Sequence, residues 1–242
     1  MGLTAVIMAA GAGKRMKSDL PKVLHKVLGV EMVRHVMAAA SFGGKPVVVV
    51  GHGAAQVMDA LGDSALYACQ KEQLGTGHAV MMARPFLEGR GGYTLVLAGD
   101  MPLLRKETLQ KLSDTCREQG YAAMVLTSIA SDPAGYGRIL RGEDGCVLGI
   151  VEEKDATPQQ RTIREVNSSV YCFETGALLA SLGRLSNDNA QREYYLTDCI
   201  GLLVDAGQKV GALVAEDPME CIGVNDQAQL ALCEAEMERR AR

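Results

Sequence analysis

The sequence predicts an α/β fold with a mostly parallel central sheet flanked by helices, on three observations. Short, almost continuously apolar runs recur along the first half, and such strands need cover on both faces. Helix-like segments alternate with them, as in a doubly wound sheet. A glycine-rich loop with cations leaves the first run, at the strand end where these sheets bind phosphate.

The first strand is expected over Thr4–Met8. It runs into Ala9-Ala10-Gly11-Ala12-Gly13-Lys14-Arg15-Met16, with Asp19-Leu20-Pro21-Lys22 close behind. Glycines allow backbone N–H groups to turn toward a polyanion, while Lys14, Arg15 and Lys22 cluster positive charge in a chain of formal net charge −4. The loop is not a P-loop, because Met8 stands at the first glycine and Arg15 at the hydroxyl position. Nor is it a dinucleotide fingerprint, since Met16 occupies the third glycine. It predicts a nucleotide held in neither of those ways.

Further strands are expected at Pro46–Val50, Leu66–Cys69, Thr94–Ala98 and Ala122–Thr127, and helices at Met32–Ala40, Ala55–Leu61, Gly77–Ala83 and Lys106–Gln119. Gln70-Lys71-Glu72-Gln73-Leu74-Gly75-Thr76-Gly77-His78 joins a strand to a helix. Its amide, glycine and hydroxyl can read a base edge by hydrogen bonds, or Thr76 can cap the helix. Gly99-Asp100-Met101-Pro102 ends another strand, and a carboxylate there suits a hard cation on phosphate oxygens or, alternatively, an Asx turn. Asn225, in Gly223-Val224-Asn225-Asp226, offers a second cation ligand or a helix cap, a task Asp226 can also perform.

From Arg138 the alternation stops. Strands are expected at Gly137–Leu140, Val147–Glu152 and Val170–Phe173, joined by polar loops that could supply a second substrate's pocket. Helix returns at Tyr195–Ala206, strand at Val210–Val214, and a charged amphipathic helix from about Gln227, read as a solvated face.

At 242 residues the chain needs no disulfide or metal staple for its core, and no low-complexity linker divides it. Its seven cysteines are scattered without a Cys-x-x-Cys pair and read as reduced; its four histidines show no zinc spacing. Mild acidity argues against extensive nucleic-acid binding. No leader pattern and no apolar segment of about 18 residues is found, so a cytoplasmic protein without a membrane partner is expected.

Together these stretches resemble the N-acetylglucosamine-1-phosphate uridyltransferase domains of the sugar nucleotidyltransferase family. The resemblance runs from residue 3 to about residue 235. It is carried by Ala9-Ala10-Gly11-x-Gly13-x-Arg15-Met16, Gln73-Leu74-Gly75-Thr76-Gly77-His78-Ala79, Gly99-Asp100-x-Pro102-Leu103, Gly135-Tyr136-Gly137-Arg138-Ile139, Val151-Glu152-x-Lys154-Asp155-Ala156, Glu193-Tyr194-Tyr195-x-Thr197-Asp198 and Gly223-Val224-Asn225. It implies a Rossmann-like nucleotide-diphospho-sugar transferase fold over residues 1–226, followed by a C-terminal helix over 227–242 as a possible linker. By position, Ala9, Ala10, Gly11 and Gly13 belong to the nucleotide loop, Gln70, Gly75 and Thr76 to the uracil, and Arg15 and Lys22 to the phosphates as catalytic cations. Asp100 and Asn225 would hold Mg²⁺; Gly137, Glu152 and Asn167 would contact the sugar phosphate.

The implied reaction joins UTP and N-acetylglucosamine 1-phosphate into UDP-N-acetylglucosamine, a cell-envelope precursor, and pyrophosphate. A transferase for glucose 1-phosphate and a sugar-nucleotide sensor are the rival readings. Lys14 replaces a usual Thr, Ser169 the glycine of Asn-Thr/Ser-Gly, and Ala98 a usual Tyr or Ser. No hexapeptide β-helix repeat follows residue 235.

Overall fold

A computed structural model describes residues 2–42 and 44–241. Strand β1 (Leu3–Ala9) is central because its two faces are both apolar. Ala5, Ile7 and Ala9 join one core cluster while Val6 and Ala10 join the other, as side chains alternate across a strand. A short hairpin, β2 (Lys26–Val27) and β3 (Val30–Glu31), leads into α1 (Met32–Ala39). Strand β4 (Val47–Val50) is four buried valines, each side chain worth about 1.5–3 kcal/mol of burial; helix α2 (Ala54–Leu61) follows, then β5 (Leu66–Cys69). Helices α3 (Thr76–Met82) and α4 (Arg84–Leu87) lead to β6 (Tyr93–Ala98), α5 (Lys106–Glu118) and β7 (Ala123–Ile129).

The second half is wound differently. Strands β8 (Arg138–Arg141) and β9 (Val147–Val151) form an antiparallel pair, and β10 (Glu165–Glu174) returns through the sheet, antiparallel to both β6 and β7. Helices α6 (Thr175–Leu182) and α7 (Asp198–Asp205), strand β11 (Val210–Val214) and helix α8 (Gln227–Ala241) complete the chain. The sheet order is β11-β7-β10-β6-β1-β4-β5, with β8 and β9 extending from β10. Helices α1, α2 and α5 cover one face through Val33, Val36, Val57, Leu61, Leu109 and Leu112. Helices α3, α4, α6 and α7 cover the other through Val80, Leu87, Leu178, Leu182, Ile200 and Leu203.

The expected mostly parallel sheet is present, with several elements redrawn. The expected strand Val170–Phe173 is only the second half of β10, and helix α6 was not expected at all. Residues Tyr195–Thr197, expected helical, are not in α7, which begins at Asp198. Helix α8 is more than a solvated face. Its Cys233 is buried, and Leu230 and Met237 pack with it on Met16, Val27, Met32, Leu103 and Val224.

Strand β1 pairs in parallel with β4 on one side and β6 on the other. The chain leaves β1 toward β4 and β5 and later returns to β6, so its direction of winding reverses there, and a crevice opens at the carboxyl ends of the strands.

Candidate active site

A cleft of about 470 Å³ occupies that crevice. Ala9, Ala10, Gly11, Arg15, Lys22, Gln70, Gly75, Thr76, Gly137, Glu152, Asn167, Asp100 and Asn225 all line it, although they are spread over more than two hundred residues of chain. Gly13 does not. It stands behind the cleft at φ +58°, where a Cβ would come within 2.6 Å of Lys22 Cβ, so its part is to let the loop fold against the Lys22 stem. Lys14 also lies outside the lining.

At one end of the cleft, two short 3₁₀ turns carry the cations. Lys14–Met16 is anchored by the buried side chain of Met16, and Lys22–Leu24 by Val23 and Leu24. Arg15 is left exposed at the cleft, and no carboxylate pairs with it among the described residues. Lys22 points inward, forming an ion pair with Asp100, and its Nζ donates to Asn225 Oδ1 at 3.1 Å. Backbone pairing makes this meeting possible: Gly99 N donates to Met8 O at 2.9 Å, and Val224 N to Asp100 O at 2.9 Å. Asp226, not Asn225, caps α8, its Oδ1 accepting from Gln229 N at 2.9 Å. Asn225 is thereby left facing the cleft. An Asx turn at Asp100 is not found among the described residues; the carboxylate faces Lys22 instead.

A carboxylate oxygen and an amide oxygen already converge on one cation, the Lys22 ammonium. This donor set fits a hard divalent ion such as Mg²⁺, which takes one or two protein oxygens and fills its shell with water and substrate phosphate. Denser ligand groups, with three or more His, Cys, Asp or Glu, are absent among the described residues.

The second wall is the loop between β5 and α3. Gln70 is buried, and its Nε2 lies 3.1 Å from both the Gly75 carbonyl and His78 Nδ1, which leaves the amide oxygen as its open acceptor. Gly75 adopts φ +108°, and a Cβ there would meet the Tyr194 carbonyl at 2.6 Å. That close approach lets the segment before α7 be stitched on: Tyr194 N donates to Leu74 O at 2.8 Å and Gly77 N to Tyr194 O at 2.7 Å. Thr76 Oγ1 accepts from Leu196 N at 3.0 Å instead of capping α3. These bonds tie Tyr194 and Leu196 to the loop between β5 and α3, and α7 begins only at Asp198, with Thr197 as its N-cap.

The third wall comes from the antiparallel half. Glu152 accepts from the Thr197 hydroxyl at 3.0 Å; burial pushes its carboxyl above the ordinary value of 4.5, Thr197 partly offsets this, and Asp198, Asp155 and Glu193 add to it. Asn167 sits at a bulge in β10 and donates from Nδ2 to the Tyr171 hydroxyl at 2.7 Å. Arg138 is fully buried beneath this wall. Its guanidinium donates to the Tyr136 carbonyl, pairs with Glu153 at 2.7 Å and reaches the Arg161 carbonyl at 3.4 Å. Glu153 in turn accepts from Gly135 N at 3.1 Å, so one side chain ties the Gly135–Gly137 loop to the segment bearing Glu152. Tyr136, Ser168 and Glu193 also line the cleft without having been expected there. The glycines flanking Tyr136 and the Glu193-Tyr194-Tyr195 run were their signals.

Residues 5–195 match the MobA-like NTP transferase domain. The chain belongs to that family. It is also 52% identical, over 98% of its length, to the bifunctional protein GlmU of Brevibacillus brevis, covering 52% of that protein. Against the proteins of the same name from Heliobacterium modesticaldum and Caldanaerobacter subterraneus, identity is 50% over 99% and 98% of the chain, covering 53% and 52% of theirs. The chain thus spans about half the length of the curated relatives it matches. No helix among its described residues is long and apolar enough to cross a membrane.

Proposed function

We propose that this NTP transferase is a uridyltransferase, moving UMP from UTP to N-acetylglucosamine 1-phosphate in the cytoplasm for cell-envelope precursor synthesis. The observation that carries the reading is the division of one cleft into three chemistries. Cations and oxygen ligands stand at one end, an open amide acceptor on a second wall, and a buried carboxyl with a bulge amide on a third. The Gln70 amide oxygen can accept from the N3–H of uracil. Gly75 allows the base to lie against backbone, and Ala9, Ala10 and Gly11 offer no side chain that would keep the triphosphate away.

In the reaction an oxygen of the sugar phosphate attacks the α-phosphorus of UTP in line. The new P–O bond forms as the bond to the bridging oxygen breaks, and pyrophosphate leaves with the electron pair. Arg15 and Lys22 oppose the charge that grows on the triphosphate oxygens, and Lys22 exchanges its contact with Asp100 and Asn225 for phosphate. Bound Mg²⁺ would be held by those two oxygens and would neutralise phosphate charge. Glu152, as carboxylate, accepts from sugar hydroxyl or amide donors, and Asn167 holds the ring against Gly137. The chemistry needs alignment and neutralisation more than proton transfer.

Pyrophosphate release on mixing the chain with UTP, Mg²⁺ and N-acetylglucosamine 1-phosphate tests all of this at once. No release would refute the transferase reading. Equal use of glucose 1-phosphate in competition would leave a uridyltransferase of different sugar choice.

A further inference from the structure

We propose that Ser169 is a specificity-determining residue of the sugar side of the cleft, its hydroxyl making a hydrogen bond to the sugar's own substituents. The inference rests on the sugar-nucleotide reading above.

Register along β10 slips between Asn167, which pairs with Thr127, and Val170, which pairs with Leu126, so Ser168 and Ser169 bulge from the ladder. Bulges beside sites re-aim side chains. Ser169 sits at φ +63°, a region that opposes any residue with a Cβ and is ordinarily given to glycine or asparagine. The turn is held by Ser169 N, which donates to Asn167 Oδ1 at 3.0 Å. On the Ser169 side that bond uses only the backbone N–H, so the hydroxymethyl group is not required by the turn and is present against its preference. Such conformations cluster at binding sites.

The polar groups around Ser169 are already committed. Ser168 Oγ donates to the Leu126 carbonyl at 2.6 Å, Asn167 Nδ2 to the Tyr171 hydroxyl at 2.7 Å, and Asn167 Oδ1 accepts from Ser169 N. The Ser169 hydroxyl has no intramolecular partner among the described residues, and the residue lines the same cleft as Asn167 and the Gly135–Gly137 loop. A hydroxyl both donates and accepts, which suits ring hydroxyls and an acylamino group alike. A site that hydrogen-bonds one substituent rejects the analogue lacking it more strongly than an apolar pocket can.

Calorimetric titration of the wild-type chain, Ser169→Ala and Ser169→Gly with UDP-N-acetylglucosamine, UDP-glucose and UDP tests the assignment. Removing the hydroxyl is expected to weaken UDP-N-acetylglucosamine about tenfold, with UDP unchanged. Ser169→Gly, which relieves the turn and so guards against misfolding, is expected to match Ser169→Ala. Affinity within about twofold of wild type in both variants would overturn the proposal, as would an equal loss for UDP. A wild-type chain that binds UDP-N-acetylglucosamine no better than UDP would overturn it too. Pyrophosphate release by the wild-type chain reports separately on the transferase reading, because binding is measured without turnover.

Discussion

The parallel half of the sheet and its antiparallel half build opposite kinds of wall. Around β1, β4, β5 and β6 the cleft is made by loops contiguous in sequence at strand ends, and charge there is open: Arg15 is exposed and Lys22 is met by Asp100 and Asn225. Around β8, β9 and β10 the wall joins residues beside strand ends, Gly137 before β8 and Glu152 after β9, to Asn167 inside β10, and its charge is closed in. Arg138 is buried, and Glu152 is desolvated with only a hydroxyl for support. Open cations suit a polyphosphate that arrives with its own charge. A desolvated carboxyl suits neutral hydroxyl and amide donors, which cannot compete for it while water is present.

The largest effects should therefore come from the open end. Arg15→Ala, Lys22→Ala and Asp100→Ala are each expected to lower kcat by about 10²–10³, since the first two remove cations opposing transition-state charge and the third a carboxylate that would hold Mg²⁺. UDP-N-acetylglucosamine affinity, which does not involve that charge, should change far less. Stopped-flow pyrophosphate release measures the first and calorimetry the second. Full turnover in Arg15→Ala would erase the distinction between the two walls.

Next comes the buried cation of the closed end. Arg138→Met keeps much of the volume but abandons the Tyr136 and Arg161 carbonyls and Glu153. A cost of about 3 kcal/mol in urea unfolding is expected, the low end for a buried pair because 32% of the Glu153 side chain remains in solvent. Surviving folded protein should lose sugar-phosphate affinity through the freed Gly135–Gly137 loop while keeping UDP affinity. Equal loss of both would show that Arg138 supports the whole cleft and not one wall.

The same contrast explains what could be read from the sequence. The wall of the parallel half was legible because each motif is a strand end with its loop, and glycine, cation and carboxylate announce themselves locally. Helix α6 was missed because Thr175, Ala177, Leu178, Ser181 and Leu182 are all buried, which blurs the one-sided pattern of a surface helix. The first half of β10 was missed because Asn167, Ser168 and Ser169 interrupt its apolar run, and they are polar because they face a cleft. Tyr195–Thr197 has helical composition, but Leu196 N is drawn to Thr76 across the molecule and α7 starts only after its N-cap Thr197. Glu152, Gly137 and Asn167 were named through family resemblance. The Glu152 bond to Thr197 and the Asn167 backbone bond to Gly137 depend on tertiary pairing that no local pattern encodes.

Glu152 allows the closed wall to be tested by pH. Its folded-state value is raised above 4.5, so the carboxyl binds its proton more tightly folded than unfolded. Stability owed to this group is full below 4.5 and is lost as pH rises through the raised value, because ionisation then costs desolvation. Glu152→Gln should therefore be more stable than wild type at neutral pH, with the gap closing on acidification. Sugar binding carries the opposite sign. The KM for sugar phosphate should rise as pH falls through the raised value, and Glu152→Gln should raise it about tenfold at neutral pH and flatten the profile. A wild-type KM independent of pH between 4.5 and neutrality would mean that the carboxylate form does not receive the sugar.

The smallest expected effect separates strain that serves packing from strain that serves recognition. Each wall holds a non-glycine residue in left-handed backbone, Lys17 at φ +51° ending the Arg15 turn and Ser169 at φ +63° in the β10 bulge. Left-handed backbone costs a residue with a Cβ about 1–2 kcal/mol, while glycine gives back about 0.5–1 kcal/mol in unfolded-state entropy. Lys17→Gly and Ser169→Gly should each stabilise the fold by about 0.5 kcal/mol, visible as a small rise in Tm. Lys17 lies outside the cleft lining, so its replacement should leave UDP and UDP-N-acetylglucosamine affinities as they are. If both replacements stabilise equally and only Ser169→Gly alters sugar affinity, equal backbone strain is retained in the two walls for different reasons. A fall in stability for Ser169→Gly would mean instead that its side chain is held by packing, and that the bulge is shaped for the fold before it is shaped for a sugar.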